Sequence, residues 1–254
     1  MPDAQDDPAL ALVHQQAELV SLLEGLAPGD WHRPSPCEGW DVADVVLHLA
    51  QTNEMAVGSL RGHLDRVLED LTAGVGPAAS VDDGAAAMVA RDRGAGPAAA
   101  HCRLLASIEA LRAAVGDADP HARVAWVAGE LAARTLVTTR LAETWIHTGD
   151  IAAAVDVELA PTDRIVHIAR LAWRTLPYAF AQDGGALAGP VAFDLGAPSG
   201  ETWAFVEGEP TTTIVGPAIE LCAVAARRVD PASTALVAKG PDGADVLRLV
   251  RTYA

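Results

Sequence analysis

The chain has 254 residues, half of them hydrophobic, and a formal net charge of −16. Length and composition support a sizeable core in one or two globular domains and exclude a disordered tail. The acidic balance repels phosphate backbones and anionic bilayers, which argues against nucleic-acid binding and against membrane docking.

The chain opens MPDAQDDPAL, which is acidic and lacks the basic and apolar regions of a secretory signal. No uninterrupted apolar run reaches the about 18 residues of a spanning helix. Cys37, Cys102 and Cys222 are odd in number and form neither a CxxC motif nor a disulfide framework. The expected compartment is therefore the cytoplasm. Cys102 and Cys222 fall in helical apolar patterns and read as small core residues.

Pro8 to Leu26 has the apolar spacing of a helix and ends at the breaker APGD. SPCEGW follows as a loop, with Asp41 as the expected N-cap of a helix from Val42 to about Leu60. LTAGVGPAASVDDGAAA is rich in small residues and breakers and reads as a loop or a poorly formed helix. Pro97 to Val115 is the third long helix, and Glu130 to Val155 the fourth. Four such helices predict an antiparallel bundle.

The pattern changes near APTD, Ala160 to Asp163. Asp163 is the expected cap of a helix running through Ile168 and Leu171 to Phe180. Strand-like runs follow, VAFDL, ETWAFVEG and TTTIV, separated by Gly and Pro. PAIELCAVAARRV reads as a helix with Pro217 in its first turn. TALVAKG reads as a strand and ADVLRLVRTYA as a last helix. The expected architecture is an all-α bundle over residues 1–158 and a smaller α+β domain over 159–254.

Within RLAETWIHTGDIAAAV, an otherwise apolar helix carries Glu143, His147 and Asp150. Successive helical residues turn by about 100 degrees, so positions i, i+4 and i+7 share one stripe. DVADVVLHLA places Asp44 and His48 on another such stripe. Imidazole and carboxylate on facing helices of a bundle are good ligands for zinc and similar divalent ions, and a bound cation offsets their desolvation. Spacing alone also fits an ion-paired surface stripe or a local hydrogen bond, and a satisfied core histidine at His48. The other histidines are scattered and read as structural or solvated. Cys37 precedes the Gly39-Trp40 pair near the helix that carries His48, where a packing role in the loop is expected.

GDWHRPSPCEGWDVADVVLHLA resembles the N-terminal signature of the mycothiol-dependent maleylpyruvate isomerase family, part of the wider DinB-like metal-binding superfamily. The resemblance rests on Trp31, Pro34, Gly39, Trp40 and the run His48-Leu49-Ala50, with a second signature in Arg140, Glu143, His147 and Asp150. It implies a DinB-like four-helix domain followed by a sterol-carrier-protein-like α+β domain, strongly to about Val155 and more loosely beyond. It implies a metal held by His48, Glu143 and His147, zinc being favoured by ligand type. Asp150 would orient a ligand or bind substrate. Arg227 would be the C-terminal arginine near the active site, with Arg228 as its competitor; both also fit surface charge at a helix C-terminus.

The function so implied is isomerisation or S-transfer with mycothiol, a small thiol of actinobacteria, as cofactor and a small unsaturated molecule as substrate. Two other classes fit the residues. One is a thiol-independent metal-dependent isomerase, lyase or hydrolase. The other is a non-catalytic metal-bound protein holding a small ligand, with Trp173, Tyr178, Phe180, Trp203 and Phe205 lining its pocket. Oligomeric state, monomer or homodimer, is not encoded in these patterns.

Overall fold

A computed structural model of the chain describes residues 7–252. Two compact units emerge, Leu12–Leu159 and the described residues from Ala160 onward, with residues 7–11 grouping with the second. The first is helical. Its four long helices are α1 (Pro8–Glu24), α2 (Val42–Leu60), α5 (Pro97–Asp117) and α6 (Ala133–Ala154), with two shorter helices, α3 (Leu64–Leu71) and α4 (Val81–Asp92), between α2 and α5. Leu19 and Leu23 of α1, Val42, Val45, Val46 and Leu49 of α2, Leu104 and Ile108 of α5, and Ile151 of α6 form one buried cluster. Burying each such side chain contributes about 1.5–3 kcal/mol, so this shared core fixes the four long helices against one another.

The start of α2 is set locally. Asp41 accepts a hydrogen bond from the Asp44 backbone N–H at 2.9 Å, and the Asp44 carboxylate accepts from the Asp41 N–H at 3.2 Å. This reciprocal box satisfies two of the donors a helix N-terminus leaves open. Asp44 also pairs with Arg93 at 2.8 Å. It thus serves the helix end, and the stripe it shares with His48 has no joint function.

Two stretches differ from the sequence reading. The segment after Leu71, expected to be loop, contains the regular helix α4. Ser80 caps it by accepting from the Asp83 N–H at 3.0 Å, and Met88 and Val89 are buried beneath it. A good cap and two core anchors outweigh the Gly and Ala content there. The fourth helix begins at Ala133, because Leu131–Ala132 (β2) pairs antiparallel with Arg123–Val124 (β1).

The second unit mixes helices with a four-stranded sheet. After a 3₁₀ turn at Asp163–Ile165 come α7 (Val166–Arg174) and α8 (Leu176–Gln182). The single helix expected here breaks at Thr175. Pro177 lacks an N–H and cannot continue α7, but it fits the first turn of a new helix. Asp163 caps no helix; its carboxylate accepts from the Ser199 N–H at 3.0 Å. Strands β3 (Val191–Gly196), β4 (Thr202–Phe205), β5 (Thr212–Pro217) and β6 (Val237–Lys239) lie in the order β4-β3-β5-β6. The β3–β5 pair is parallel and the two outer pairs are antiparallel. Pro217 ends β5 and stands at the N-cap of α9 (Ala218–Ala225), one position before the expected first turn. α10 (Gly243–Leu249) closes the unit.

The aromatic residues considered as pocket lining are largely core. Phe180, Trp203 and Phe205 are buried, and Trp173 stacks on Phe205 with ring centroids 6.2 Å apart. Tyr178 is exposed. Of the two cysteines expected inside, Cys222 is buried and Cys102 is exposed. No helix among the described residues is long and apolar enough to cross a membrane.

Candidate metal centre

Three side chains from two helices of the first unit converge. His48 projects from the middle of α2, and Glu143 and His147 from successive turns of α6. The Nε2 atom of His48 lies 3.5 Å from Glu143 Oε2, and the Nε2 atom of His147 lies 3.6 Å from the same oxygen. The two imidazoles meet edge to face, with centroids 5.0 Å apart and planes at 77°. All three ligand atoms fall within 4.8 Å of one another. A tetrahedral zinc with bonds of about 2.0–2.1 Å spaces its ligands by about 3.3 Å, so the observed separations fit a divalent ion with little movement. Two imidazoles and one carboxylate leave a position open, the pattern of catalytic zinc. Glu143 is the most exposed of the three, its side chain retaining 19% accessibility.

The surroundings support this reading. Nδ1 of His147 lies 2.9 Å from Asp150 Oδ2, and Asp150 is buried. A carboxylate on the far nitrogen fixes the tautomer and orientation of a ligating histidine and turns Nε2 toward the ion. The Cys37 thiol donates to the same Asp150 oxygen at 3.3 Å and lies 3.8 Å from His147 Nδ1. Cys37, His147 and Asp150 could themselves surround an ion. They would have to use Nδ1, which Asp150 already occupies, so Nε2 and the His48–Glu143 side are better suited. Cys37 reaches Asp150 because the Ser35–Trp40 loop closes on itself. Its bonds include Trp40 N–H to Cys37 C=O at 3.0 Å and Ser35 N–H to Trp40 C=O at 2.9 Å. Gly39 supplies the left-handed turn at φ +76°. The cysteine expected merely to pack in a loop is thus hydrogen-bonded behind His147. Trp40 covers the other histidine, its ring 5.0 Å from His48.

Electrostatics separates the two histidines. Burial lowers the pKa of His48, a shift that the Glu143 contact only partly offsets, and keeps the ring neutral and ready to ligate. Burial also opposes charge on His147, but bonds to Asp150, Cys37 and Glu143 outweigh it and hold its pKa well above the usual value. Glu143 is likewise penalised by burial, yet both imidazoles and Arg140 hold its pKa well below the carboxylate range. In the metal-free site these contacts favour the protonated form of His147 and the ionised form of Glu143.

A metal must displace that proton. Binding is therefore expected to release one proton from His147, and affinity should rise about tenfold per pH unit below the His147 pKa. Calorimetric zinc titrations in buffers of different ionisation enthalpy would count the proton. A count of zero at neutral pH would contradict a protonated His147.

Arg140, one turn before Glu143, was named in the sequence signature without a role. It is buried, and its guanidinium carbon sits 5.3 Å from the Trp126 ring centroid. Arg227 and Arg228 belong to the second unit and are exposed. Arg227 adopts a left-handed φ of 60° and donates to the Arg248 carbonyl at 2.6 Å. Arg228 donates to the Ala226 carbonyl at 3.0 Å.

The chain is similar to several known proteins. The family model described as the mycothiol maleylpyruvate isomerase N-terminal domain matches residues 12–152. Two uncharacterized proteins, from two strains of Mycobacterium tuberculosis, are each 28% identical over 257 residues, covering 99% of this chain and 97% of theirs. The crystal structure of the mycothiol-dependent maleylpyruvate isomerase is similar with a TM-score of 0.61 at 17% identity, covering 96% of each chain. The structure of a histidine-to-alanine mutant of that enzyme matches to the same degree. At this identity the two structures speak to the fold.

Proposed function

The chain belongs to the mycothiol-dependent maleylpyruvate isomerase family, and from that premise we propose that it is a metal-dependent enzyme that activates a small thiol for addition to an unsaturated small molecule. The proposed metal is zinc, held by His48, Glu143 and His147, and the proposed thiol is mycothiol. The observation that carries this is the convergence of His48 Nε2, His147 Nε2 and Glu143 Oε2, with Asp150 behind His147. The domain assignment, 1–158 for the metal-binding bundle and 159–254 for the α+β domain, belongs to the same proposal.

A divalent ion in this setting lowers the pKa of a thiol and stabilises the thiolate. The chain's residues do the rest. Neutral His48 offers a lone pair without first losing a proton. Asp150 accepts the Nδ1–H of His147 and keeps its Nε2 turned toward Glu143. Glu143, the most exposed of the three, would neutralise part of the charge of a bound cation. Trp40, its ring centroid 5.0 Å from that of His48 and tilted to it, limits water there, and drier surroundings strengthen each of these contacts. Cys37 is tied to Asp150, so an external thiol suits the reaction better than this internal one. Arg227 is proposed as a substrate contact on the resemblance of its segment.

Elemental analysis tests the reading. About one zinc per chain is expected in the wild type, with none in His48→Ala or His147→Ala, and turnover should require added thiol. Arg227→Ala is expected to raise KM where Arg228→Ala does not. Zinc-free wild-type protein after incubation with zinc would remove the basis of the proposal, as would turnover indifferent to thiol.

A further inference from the structure

Arg140 is 4% exposed, on the face of α6 that carries Glu143. Its guanidinium makes no hydrogen bond or ion pair with any described residue, and Nε and Nη1 are both sealed from solvent without a partner. Buried arginines are normally satisfied, because each lost charge-assisted bond costs on the order of 1.5–3 kcal/mol. The Trp126 ring centroid lies 5.3 Å from the guanidinium carbon. That contact favours the cation, yet leaves its N–H donors unspent. Glu143, the nearest acid along the helix, is turned to the two imidazoles. Arg140 stands one helical turn before Glu143 on α6, and its charge lowers the pKa of both His48 and Glu143.

Charge accounting points the same way. A divalent ion on two neutral imidazoles and one carboxylate keeps one positive charge. Arg140 adds a second, and Asp150 cancels one of the two. A loaded centre would stay net positive, with an unspent hydrogen-bond donor beside it.

We propose that Arg140 is an anion-binding residue of this site, donating to a carboxylate or enolate oxygen of the bound molecule. The inference rests on the triad being the reacting centre. Arg140 is thus a specificity residue, supplied by the same helix as two of the proposed metal ligands. Its side chain is held by Trp126 before the ligand arrives, which lowers the ordering cost of binding.

The test uses the full-length zinc-incubated protein with succinate as the probe and uncharged succinamide as its control. Calorimetry is expected to show succinate binding about tenfold or more weaker in Arg140→Gln, with Arg140→Lys in between, corresponding to one charge-assisted bond. Succinamide should bind to none of them. Zinc content is measured in each variant, so a lost metal is distinguished from a lost anion contact. A second readout needs no variant. The Arg140 Nε–H resonance of the wild type, protected by burial, should shift on adding succinate. If the wild type takes up no zinc but this resonance still shifts, the metal reading falls and the anion site stands. Succinate affinity unchanged in Arg140→Gln, or an Nε–H signal indifferent to succinate, overturns the assignment. The same holds if succinate and succinamide behave alike.

Discussion

His147→Ala is expected to reduce thiol-dependent turnover by about three orders of magnitude, whereas Asp150→Asn should weaken metal binding by about 10–100-fold and leave turnover largely recoverable in excess zinc. The contrast follows from what each group touches. His147 offers Nε2 to the triad, 3.6 Å from Glu143. Without it only His48 and Glu143 remain, and two protein ligands hold a divalent ion poorly. Asp150 lies on the opposite side of the ring, at Nδ1. Asparagine there can still accept the Nδ1–H through its carbonyl oxygen, so the imidazole keeps its orientation and loses only the nearby negative charge. The measurement is turnover against zinc concentration for both variants, with the melting temperature in zinc and in chelator alongside. Wild-type protein should melt higher with zinc, and His147→Ala should not respond. Equal losses in the two variants, unrelieved by zinc, would make the His147–Asp150 pair a structural unit. Full turnover in His147→Ala would dismiss the metal centre as the seat of chemistry.

The same pair makes stability of the metal-free protein depend on pH. The folded-state pKa of His147 is raised, so its contribution is complete below the unfolded value of about 6.5 and is lost as pH rises through the folded value. Glu143 acts in the opposite sense. Its pKa is depressed, so its contribution is present above the unfolded value of about 4.3 and is lost on acidification. The contribution of these two groups to the metal-free chain is therefore greatest in the mildly acidic range between those two unfolded values.

The parts of the site legible in the sequence are those carried by helical period. Glu143, His147 and Asp150 follow from position along α6 alone, since a helix aligns every third to fourth residue whatever lies around it. His48 needs a second helix, and spacing could not separate its role from that of Asp44, four residues earlier. The structure separates them: Asp44 is spent on the helix cap and Arg93, and His48 points at Glu143. Cys37 and Arg140 escaped for different reasons. Cys37 reaches Asp150 only through the closed Ser35–Trp40 turn, and loop paths have no period to read. Arg140 lay in plain view, but no pattern states whether a buried guanidinium finds partners. In the fold, the four long helices and the strands of the second unit were visible in periodicity and breakers. α4 was not, because its evidence is a single cap at Ser80 and two anchors within a stretch of small residues.

Gly240→Ala is expected to destabilise the second unit by about 3 kcal/mol or more and to lower its expression as folded protein. Gly240 follows β6 with φ at +103°, a backbone conformation closed to residues with a Cβ. An added methyl would collide with the Thr211 carbonyl oxygen and lie 2.7 Å from Thr212 Cα. Both are backbone atoms where β5 begins and cannot swing aside. The close approach has a purpose in the fold. Directly after it, buried Asp242 accepts from the Ala188 N–H at 3.0 Å, and its own N–H donates to Thr212 Oγ1 at 3.2 Å. The turn thereby ties the start of β5 and the loop before β3 to the start of α10. Moving the backbone to admit a methyl would break those bonds inside the unit, where water cannot replace them. Chemical denaturation should show the second unit unfolding at lower denaturant in Gly240→Ala. Zinc bound per chain reports the helical unit separately, since His48, Glu143 and His147 all lie within Leu12–Leu159. Retained zinc with a weakened second transition would support two units that fold on their own cores. Loss of both together would mean that the bundle depends on its C-terminal neighbour for stability, and an unaltered denaturation curve would refute the steric argument at Gly240.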